Sequence, residues 1–567
     1  MTRHLDPRTS RRRPRLAALG ATAAALALVL TACSSGGGAS DDGDDGAAGG
    51  EQEVLTVHAN TAPTYQENFN PLSPSVLPGT RGLVYEPLIA YTPMKPGEGE
   101  PWLAESMEFN EDGTQVTFTL REGVQWNDEE PFTADDVVFT FLLYRDNPAT
   151  NTGALPVTDA EATDERTAVI TFGETMYSRA PQLGNTITLP EHVFAEQDPV
   201  EFLNADPVGT GPYVVDRFTD QVYDFAQNPN YWDADNYEVE TISFPASSAD
   251  TFNVALSRNE LQWSGGFVAN IDDIYVSKDA EHNKYWYPGD GIVGLFVNQQ
   301  RAPMNDVAFR QALSLAVDRD QLSSTAMQSY TPPAHPTGLP LPAFDAMMDP
   351  DLADAEYVRD VDEANSILDD AGYAMGADGV RTAPDGTPLS FDLIIPSDWT
   401  DWVTIAGLLQ EQLAEIGVQL APQGVAFQSW VDQRNGGNYD LTLGSVAAGT
   451  APYFMYRSMM SSEFEVAEGE AAVNNFARWY DAESDAFFDA YESTNDPEVQ
   501  LEAIQGLENI VVEELPIIPL LQSPNWFQYR TEFFTGWPSE EDPYALGAPY
   551  MFPDNLLVVR ALEPAGE

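Results

Sequence analysis

The sequence predicts a mixed α/β protein, and three kinds of segment say so. Val116, Phe118 and Leu120 alternate after a turn at Asp112-Gly113, as do Phe391-Leu393-Ile395 and Tyr439-Leu441-Leu443, the pattern of half-buried strands. Between such runs lie stretches whose apolar residues recur at helical spacing. The 42 prolines are scattered along the 567 residues, marking many loops and no single linker. At 62.1 kDa the chain is long enough for two to four structural units with their own cores.

In chain order, Thr133 and Asp136 form a capping-box pair that opens a helix with Val137, Phe141 and Tyr144 on one face and Val138 and Leu142 beside it. A second helix is expected from about Asn305, with Phe309, Leu313, Ala316 and Val317 at core spacing. A third is expected from Asp401 to about Ile416, striped by Trp402, Ile405, Ala406, Leu409, Leu413 and Ile416. A further helix around Val499–Leu507 is closed by Pro516. There is no internal repeat.

Charge narrows the partners. The chain carries 90 acidic against 26 basic residues, a formal net charge of −64. So few cations cannot neutralise a phosphate backbone, which excludes nucleic acid. An anionic membrane surface repels such a chain unless something covalent holds it there. Hydrophobic residues at 43% and aromatics at 11% exclude wholesale disorder.

Six arginines fall within residues 1–15, followed by an apolar run from Leu16 to Ala32. A basic start, a short apolar core and small residues at its end describe an export signal and not a membrane span. Ser10-Arg11-Arg12-Arg13 leaves open twin-arginine or general export. The run ends Leu30-Thr31-Ala32-Cys33, and Cys33 is the only cysteine. This resembles a bacterial lipobox, which implies acylation of Cys33 and removal of residues 1–32. That removal takes away six Arg and one Asp, so −64 becomes −69. Residues 34–50 are only Gly, Ser, Ala and Asp and should be a flexible tether. Two acyl chains suffice to hold the protein on the outer face of a cytoplasmic membrane.

Several segments, in order, resemble the extracellular solute-binding proteins of ABC importers, family 5, the group of dipeptide- and oligopeptide-binding proteins. They are Leu120-Arg121-Glu122-Gly123-Val124-Gln125-Trp126 leading to Pro131 through Phe139, then Pro207-Val208-Gly209-Thr210-Gly211-Pro212-Tyr213, then Asn298 through Asp306-Val307-Ala308-Phe309-Arg310-Gln311-Ala312-Leu313 to Val317-Asp318-Arg319. Ala371-Gly372-Tyr373 and Ile416-Gly417-Val418 continue the series. The resemblance implies the two-lobed periplasmic-binding-protein fold (type II, cluster C) with an extra domain inserted in the first lobe. It places the first lobe at 51–92, 205–295 and 526–567, the insert at 93–204 and the second lobe at 296–525. It further implies a monomer that closes about a hinge on its ligand and then docks on a membrane permease.

The cargo has to be read from side chains. Peptide-binding relatives hold the peptide's amino terminus with an Asp after the strand taken here to end at Leu443, whereas residues 444–454 contain no acid. A buried ammonium without a carboxylate is costly. Aromatics and amides are plentiful instead, with 11 Trp, several of them in polar loops. Flat aromatic faces beside hydrogen-bonding groups suit sugar rings. Within the family, Asn68-Phe69-Asn70-Pro71-Leu72-Ser73-Pro74, Tyr285-Trp286-Tyr287-Pro288, Trp399-Thr400-Asp401-Trp402, Pro452 through Arg457 and the stretch from Gly536-Trp537 to Tyr544 look like the cello-oligosaccharide-binding branch.

The candidate ligand contacts are Asn68, Asn70, Trp263, Trp399, Trp402, Trp430, Tyr453 and Trp526. Core packing competes at each: Trp402 lies on the apolar stripe of its helix, Trp399 precedes the expected cap Thr400, and Asn68 and Asn70 are equally good turn formers. An enzyme is not expected. The five histidines form no metal-spaced pair, there is no phosphate-binding glycine loop, and 90 carboxylates make any acid pair uninformative. No cofactor and no metal is expected. The expected ligand is a β-linked, cellobiose-like oligosaccharide, with a peptide as the alternative and a carbohydrate-active hydrolase as the alternative from another class.

Overall fold

The computed structural model describes residues 54–467 and 469–566; the export signal, Cys33 and the tether lie outside the described residues. The described chain begins with β1 (Leu55–His58) and then leaves to build a separate antiparallel sheet. That sheet comprises β2 (Ala104–Phe109), β3 (Gln115–Leu120), β4 (Val157–Asp164) and β5 (Thr167–Phe172), in the order β2-β3-β5-β4. Against it packs α1 (Ala134–Asp146), started by the Thr133–Asp136 capping box that the sequence predicts. Val116, Phe118 and Leu120 alternate inward and are buried, as expected for a sheet covered on one face.

The chain returns with β6 (Tyr213–Thr219), β7 (Val222–Gln227), β8 (Thr241–Pro245), β9 (Trp263–Ser264) and β10 (Asn283–Tyr285). It then crosses to a second sheet made of β11 (Gly289–Val297), β12 (Ser390–Pro396), β13 (Gln419–Val425), β14 (Leu441–Ala447) and β15 (Ile518–Pro524). Around that sheet pack α2 (Val307–Ala316), α3 (Thr400–Ala414), α4 (Phe427–Asn435), α5 (Pro452–Met460), α6 (Ala482–Glu492) and α7 (Pro497–Glu514). The chain crosses back with β16 (Gln528–Arg530). The first sheet therefore runs β10-β16-β9-β1-β8-β7-β6, and the second β13-β12-β14-β11-β15.

Three differences from the sequence reading arise from burial. β12 and β14 are buried on both faces over Leu393-Ile394-Ile395 and Leu441–Leu443, so alternation describes only part of them. β14 does not end at Leu443 but runs to Ala447, because Gly291 through Val297 of β11 pair with it along its full length. α7 extends well beyond Val499–Leu507: Ala503, Ile504, Leu507, Ile510 and Val511 bury against the second sheet's core. Strands covered on both faces read as continuous apolar runs, whereas α7 keeps an exposed face and is lengthened by an apolar stripe that continues to Val511.

Among the described residues two large apolar cores and a small third cluster, Phe252, Leu256, Leu261, Val268, Ile271 and Tyr275, organise the molecule. One large core comprises the second sheet and its helices, from Ile292 to Leu521. The other large core is shared by the first sheet and the four-stranded sheet, running without a break from Leu55 and Val57 through Val116, Phe118 and Phe141 to Tyr223 and Leu556. The inserted sheet and the first lobe therefore form one packed body, and the second lobe another. The bodies are joined by two chain crossings, 286–288 and 525–527, which pair with each other: Trp286 N donates to Phe527 O at 3.0 Å and Asn525 N to Pro288 O at 2.8 Å.

The Pro207–Tyr213 segment seats the first lobe on the insert. Gly211 N donates to Val84 O at 2.9 Å, and Asn127 N of the insert donates to Gly209 O at 2.9 Å. A Cβ on Gly209 would lie 2.1 Å from Val84 O, and that oxygen belongs to backbone that is itself pinned. Gly209→Ala is expected to cost about 3 kcal/mol of stability through overpacking. Urea unfolding measures it; an unchanged midpoint would show that the segment relaxes freely.

Candidate functional site

β12, β13, β14 and β15 all run in one direction, because β12 pairs parallel with β13 and β14 while β11 is antiparallel to both β14 and β15. Their carboxyl ends open along one edge of the second sheet, the position where open α/β sheets bind ligands. β12 is followed by Trp399, β13 by Phe427 at the start of α4, β14 by the loop into α5, and β15 by Trp526. From β13 to β15 the edge spans four inter-strand spacings, or roughly 19 Å end to end.

At one end stands an aromatic platform. Trp399 is 36% and Phe427 52% exposed, with rings 5.6 Å apart and inclined by 31°. Trp402 and Trp430 are buried behind them, 4.6 Å and 5.8 Å from the Trp399 ring. Trp430 is fixed by its Nε1–H donating to Thr442 Oγ1 at 2.9 Å and by Arg434 stacked over its ring at 4.5 Å. Trp399 itself occupies the N-cap of α3, one position earlier than the Thr400 cap expected from sequence. Asp401 in the first turn is buried, and burial pushes its carboxyl up to about 6 against the pull of the Trp402 N–H.

At the other end the hinge carries a second cluster. Trp526 meets Tyr287 edge-on at 4.7 Å, Phe267 at 5.5 Å and Tyr330 at 6.4 Å, and Tyr285 lies 5.0 Å from Tyr287. All five rings are half-buried. Gln528 beneath them is fully buried, and its Nε2 donates to Tyr287 Oη and Gly266 O, both at 2.8 Å. Its Oε1 accepts from Ser264 Oγ at 2.9 Å, so one amide holds the hinge tyrosine and the Gly265-Gly266 loop together. His58, at the end of β1, is buried, bonded through Nδ1 to Ser247 Oγ at 2.7 Å and stacked on Phe252 at 4.0 Å. Burial pulls its pKa down to about 4, which keeps it neutral.

The structure disperses the other residues singled out from sequence. Asn68 Nδ2 donates to Ser73 Oγ and Ser75 Oγ, and Asn70 Nδ2 to Pro199 O and Phe202 O, so both buried amides are spent on folding a turn and tying it to the insert. Trp263 is buried in β9 with Nε1–H donating to Gly547 O at 2.6 Å, inside the first-lobe core and not in a loop. Tyr453 is fully buried on α5, stacked on Tyr491 at 4.4 Å with its hydroxyl donating to Glu492. Trp399 and Trp526 stand at the edge, with Trp402 and Trp430 supporting the former. Phe427, Tyr287, Tyr330 and Phe267 escaped the sequence reading; the Tyr285-Trp286-Tyr287 run was the only local signal for any of them.

The loop after β14 bears no acid from Gly444 to Phe454. The acid facing it is Asp290 at the head of β11, whose backbone carbonyl accepts from Ala448 N at 2.7 Å. Burial pushes the Asp290 carboxyl up to about 6, with Asn525 pulling it down. The edge is thus aromatic, and exposed acids flank it: Asp398 directly precedes Trp399, and Asp272 lies beside Tyr285 and Tyr330. Among the described residues no group of three His, Cys, Asp or Glu is placed to hold a metal ion.

The geometry is that of two packed bodies joined by a paired double crossing, with one aromatic cluster on the carboxyl edge of the second sheet and another at the crossing. The chain belongs to the bacterial extracellular solute-binding proteins, family 5, whose middle-region model matches residues 98–467. It is 28% identical over 425 residues to Protein XP55 of Streptomyces lividans, covering 74% of this chain and 75% of that one. It is 26% identical over 392 residues to the nickel-binding periplasmic protein of Escherichia coli, covering 65% and 72%. Its fold matches that of a periplasmic oligopeptide-binding protein from Thermotoga maritima solved with mannohexaose, at a TM-score of 0.82 and 27% identity, over 91% of this chain and 100% of that one. The protein is the extracytoplasmic solute-binding component of an ABC importer, and its relatives are binding proteins and not enzymes. Among the described residues no helix is long and apolar enough to cross a membrane.

Proposed function

We propose that this protein captures an oligosaccharide, β-linked and cellobiose-like, and delivers it to the permease while held at the outer membrane face by acylated Cys33. The observation that carries the reading is the pair of aromatic clusters, Trp399–Phe427 and Trp526–Tyr287, at the two ends of the edge, each with an exposed carboxylate nearby, Asp398 and Asp272, that can accept from sugar hydroxyls. Sugar rings stack their C–H faces on such surfaces, and the helix N-termini of α3, α4 and α5 at the same edge favour hydroxyl oxygens as acceptors. An edge of roughly 19 Å suits a chain of rings better than a single one. The Thermotoga relative, solved with mannohexaose, supports a sugar in this fold.

A peptide is the second reading, favoured by the name of that same relative and by Asp290 beside the β14 loop. Calorimetry of the soluble body against cellotetraose, mannohexaose and a mixed peptide pool separates the two. Tight peptide binding with no response to either sugar would sink the sugar reading. Trp399→Ala is expected to weaken sugar binding by about 1–3 kcal/mol while leaving the fold intact. Unchanged affinity in that variant would remove the platform from the site.

A further inference from the structure

Away from the hinge, the two bodies meet a second time through charge. Arg179 belongs to the insert, and its side chain is 2% exposed. Its Nη1 donates to Ala154 O at 2.9 Å within the insert. Its Nη2 reaches across to the second lobe, 3.4 Å from both carboxylate oxygens of Glu463 and 4.0 Å from Glu492 Oε1. On the second-lobe side, Arg457 of α5 pairs with Glu463 and lies 3.9 Å from Glu492 Oε1 through Nε. The Tyr453 hydroxyl donates to Glu492. Two arginines, two glutamates and a tyrosine thus form a cluster contributed by both bodies, and Glu174 of the insert lies near enough to act on both Arg179 and Glu492.

The packing makes this contact conditional. The insert shares the first lobe's core, whereas α5 and α6 belong to the second lobe's core. A rotation about the paired crossings that parts the two bodies draws Arg179 away from Glu463 and Glu492, while the Arg457–Glu463 pair, lying wholly within one body, survives. A buried guanidinium facing carboxylates at one closure angle is a geometric selector, since ion pairs of this kind reward a single arrangement. The binding-competent population sets apparent affinity directly.

We infer that Arg179 is a positioning residue for solute capture: it clasps the inserted domain to Glu463 and Glu492 of the second lobe and sets the closed population without touching the solute. The inference rests on the solute-binding role and not on which solute is carried. Loss of the clasp should weaken apparent affinity about tenfold, chiefly through faster dissociation.

The test places spin labels at two exposed positions, Glu161→Cys in the insert and Asp362→Cys in the second lobe, in a Cys33→Ser chain. Electron–electron distance measurements are made without ligand and with saturating mannohexaose. The expected result is a short-distance class matching this structure, depleted in Arg179→Met and kept in Arg179→Lys. Glu463 is 37% exposed, so Glu463→Gln offers the same depletion should Arg179→Met fail to fold. Identical distributions in the parent and in both Arg179→Met and Glu463→Gln, or no short-distance class in the parent under either condition, would overturn the clasp. A parent that ignores mannohexaose but shows an Arg179-dependent class leaves the clasp standing, and the sugar reading is then decided by the calorimetry with cellotetraose.

Discussion

Lowering the pH from 8 to about 5 should raise the unfolding temperature of this protein. Glu86 and Glu508 are buried, and burial pushes both carboxyls up to about 7 from an ordinary 4.5. Asp401 and Asp554 are pushed up to about 6 from 3.8 by the same cause, and Asp290, which is partly exposed, follows. Glu86 accepts from Tyr231 Oη at 2.6 Å and from Trp102 Nε1, which draw it back only in part. In each case the folded chain holds a proton that the unfolded chain has released. Stability from these groups is fully present below pH 4 and is lost as pH rises through 6 to 7.

Each tenfold gain in a carboxyl's proton affinity on folding is worth about 1.4 kcal/mol, so four buried carboxyls together outweigh the two opposing histidines in this range, even after a heavy discount. Those opposing groups are His58, drawn down to about 4 by burial, and His335, also drawn down by burial, and both cost stability as pH falls below 6.5. Protonation also trims the −64 net charge and its self-repulsion. Calorimetric scans at pH 8, 7, 6 and 5 measure the slope, and Glu86→Gln should flatten it. A midpoint that is constant or falls toward pH 5 would refute the assignment.

Trp526→Ala should cost more affinity than any other single change at the edge, about 2–3 kcal/mol for an oligosaccharide. Its ring contacts Phe267, Tyr287 and Tyr330, drawn from three separate stretches of chain, and it sits within one of the two crossings. Removing it takes away a stacking face and also loosens the tyrosine that Gln528 holds. The same sugar titration that tests Trp399→Ala reads it. A loss smaller than that of Trp399→Ala would move the centre of the site to the other end of the edge.

The helices were legible because amphipathic spacing and caps are local. Thr133–Asp136, the apolar face led by Phe309 and Leu313, and the Trp402–Leu413 stripe all stand where the sequence puts them. Strand extents were not, because β14 is lengthened by its partner β11 and parallel strands bury both faces. Of the candidate site, the sequence showed which residues to weigh and not which of them the fold would bring to one edge. Trp399 and Trp526 could be read from polar loops, but Phe427, Tyr287 and Tyr330 acquire meaning only through contacts across the fold. Conversely Trp263, Tyr453, Asn68 and Asn70 carry the right chemistry in positions where the chain itself consumes it.

The continuous core that fuses the four-stranded insert to the first lobe has a mechanical consequence. The insert cannot flex separately, so it acts as a rigid lever arm whose fulcrum is the paired crossing. A rotation of a few degrees, too small to unstack the rings beside the fulcrum, sweeps the far end of the arm through a much larger arc. Labels spanning the insert and the second lobe should therefore report a change of closure more strongly than the fluorescence of Trp526 beside the crossing.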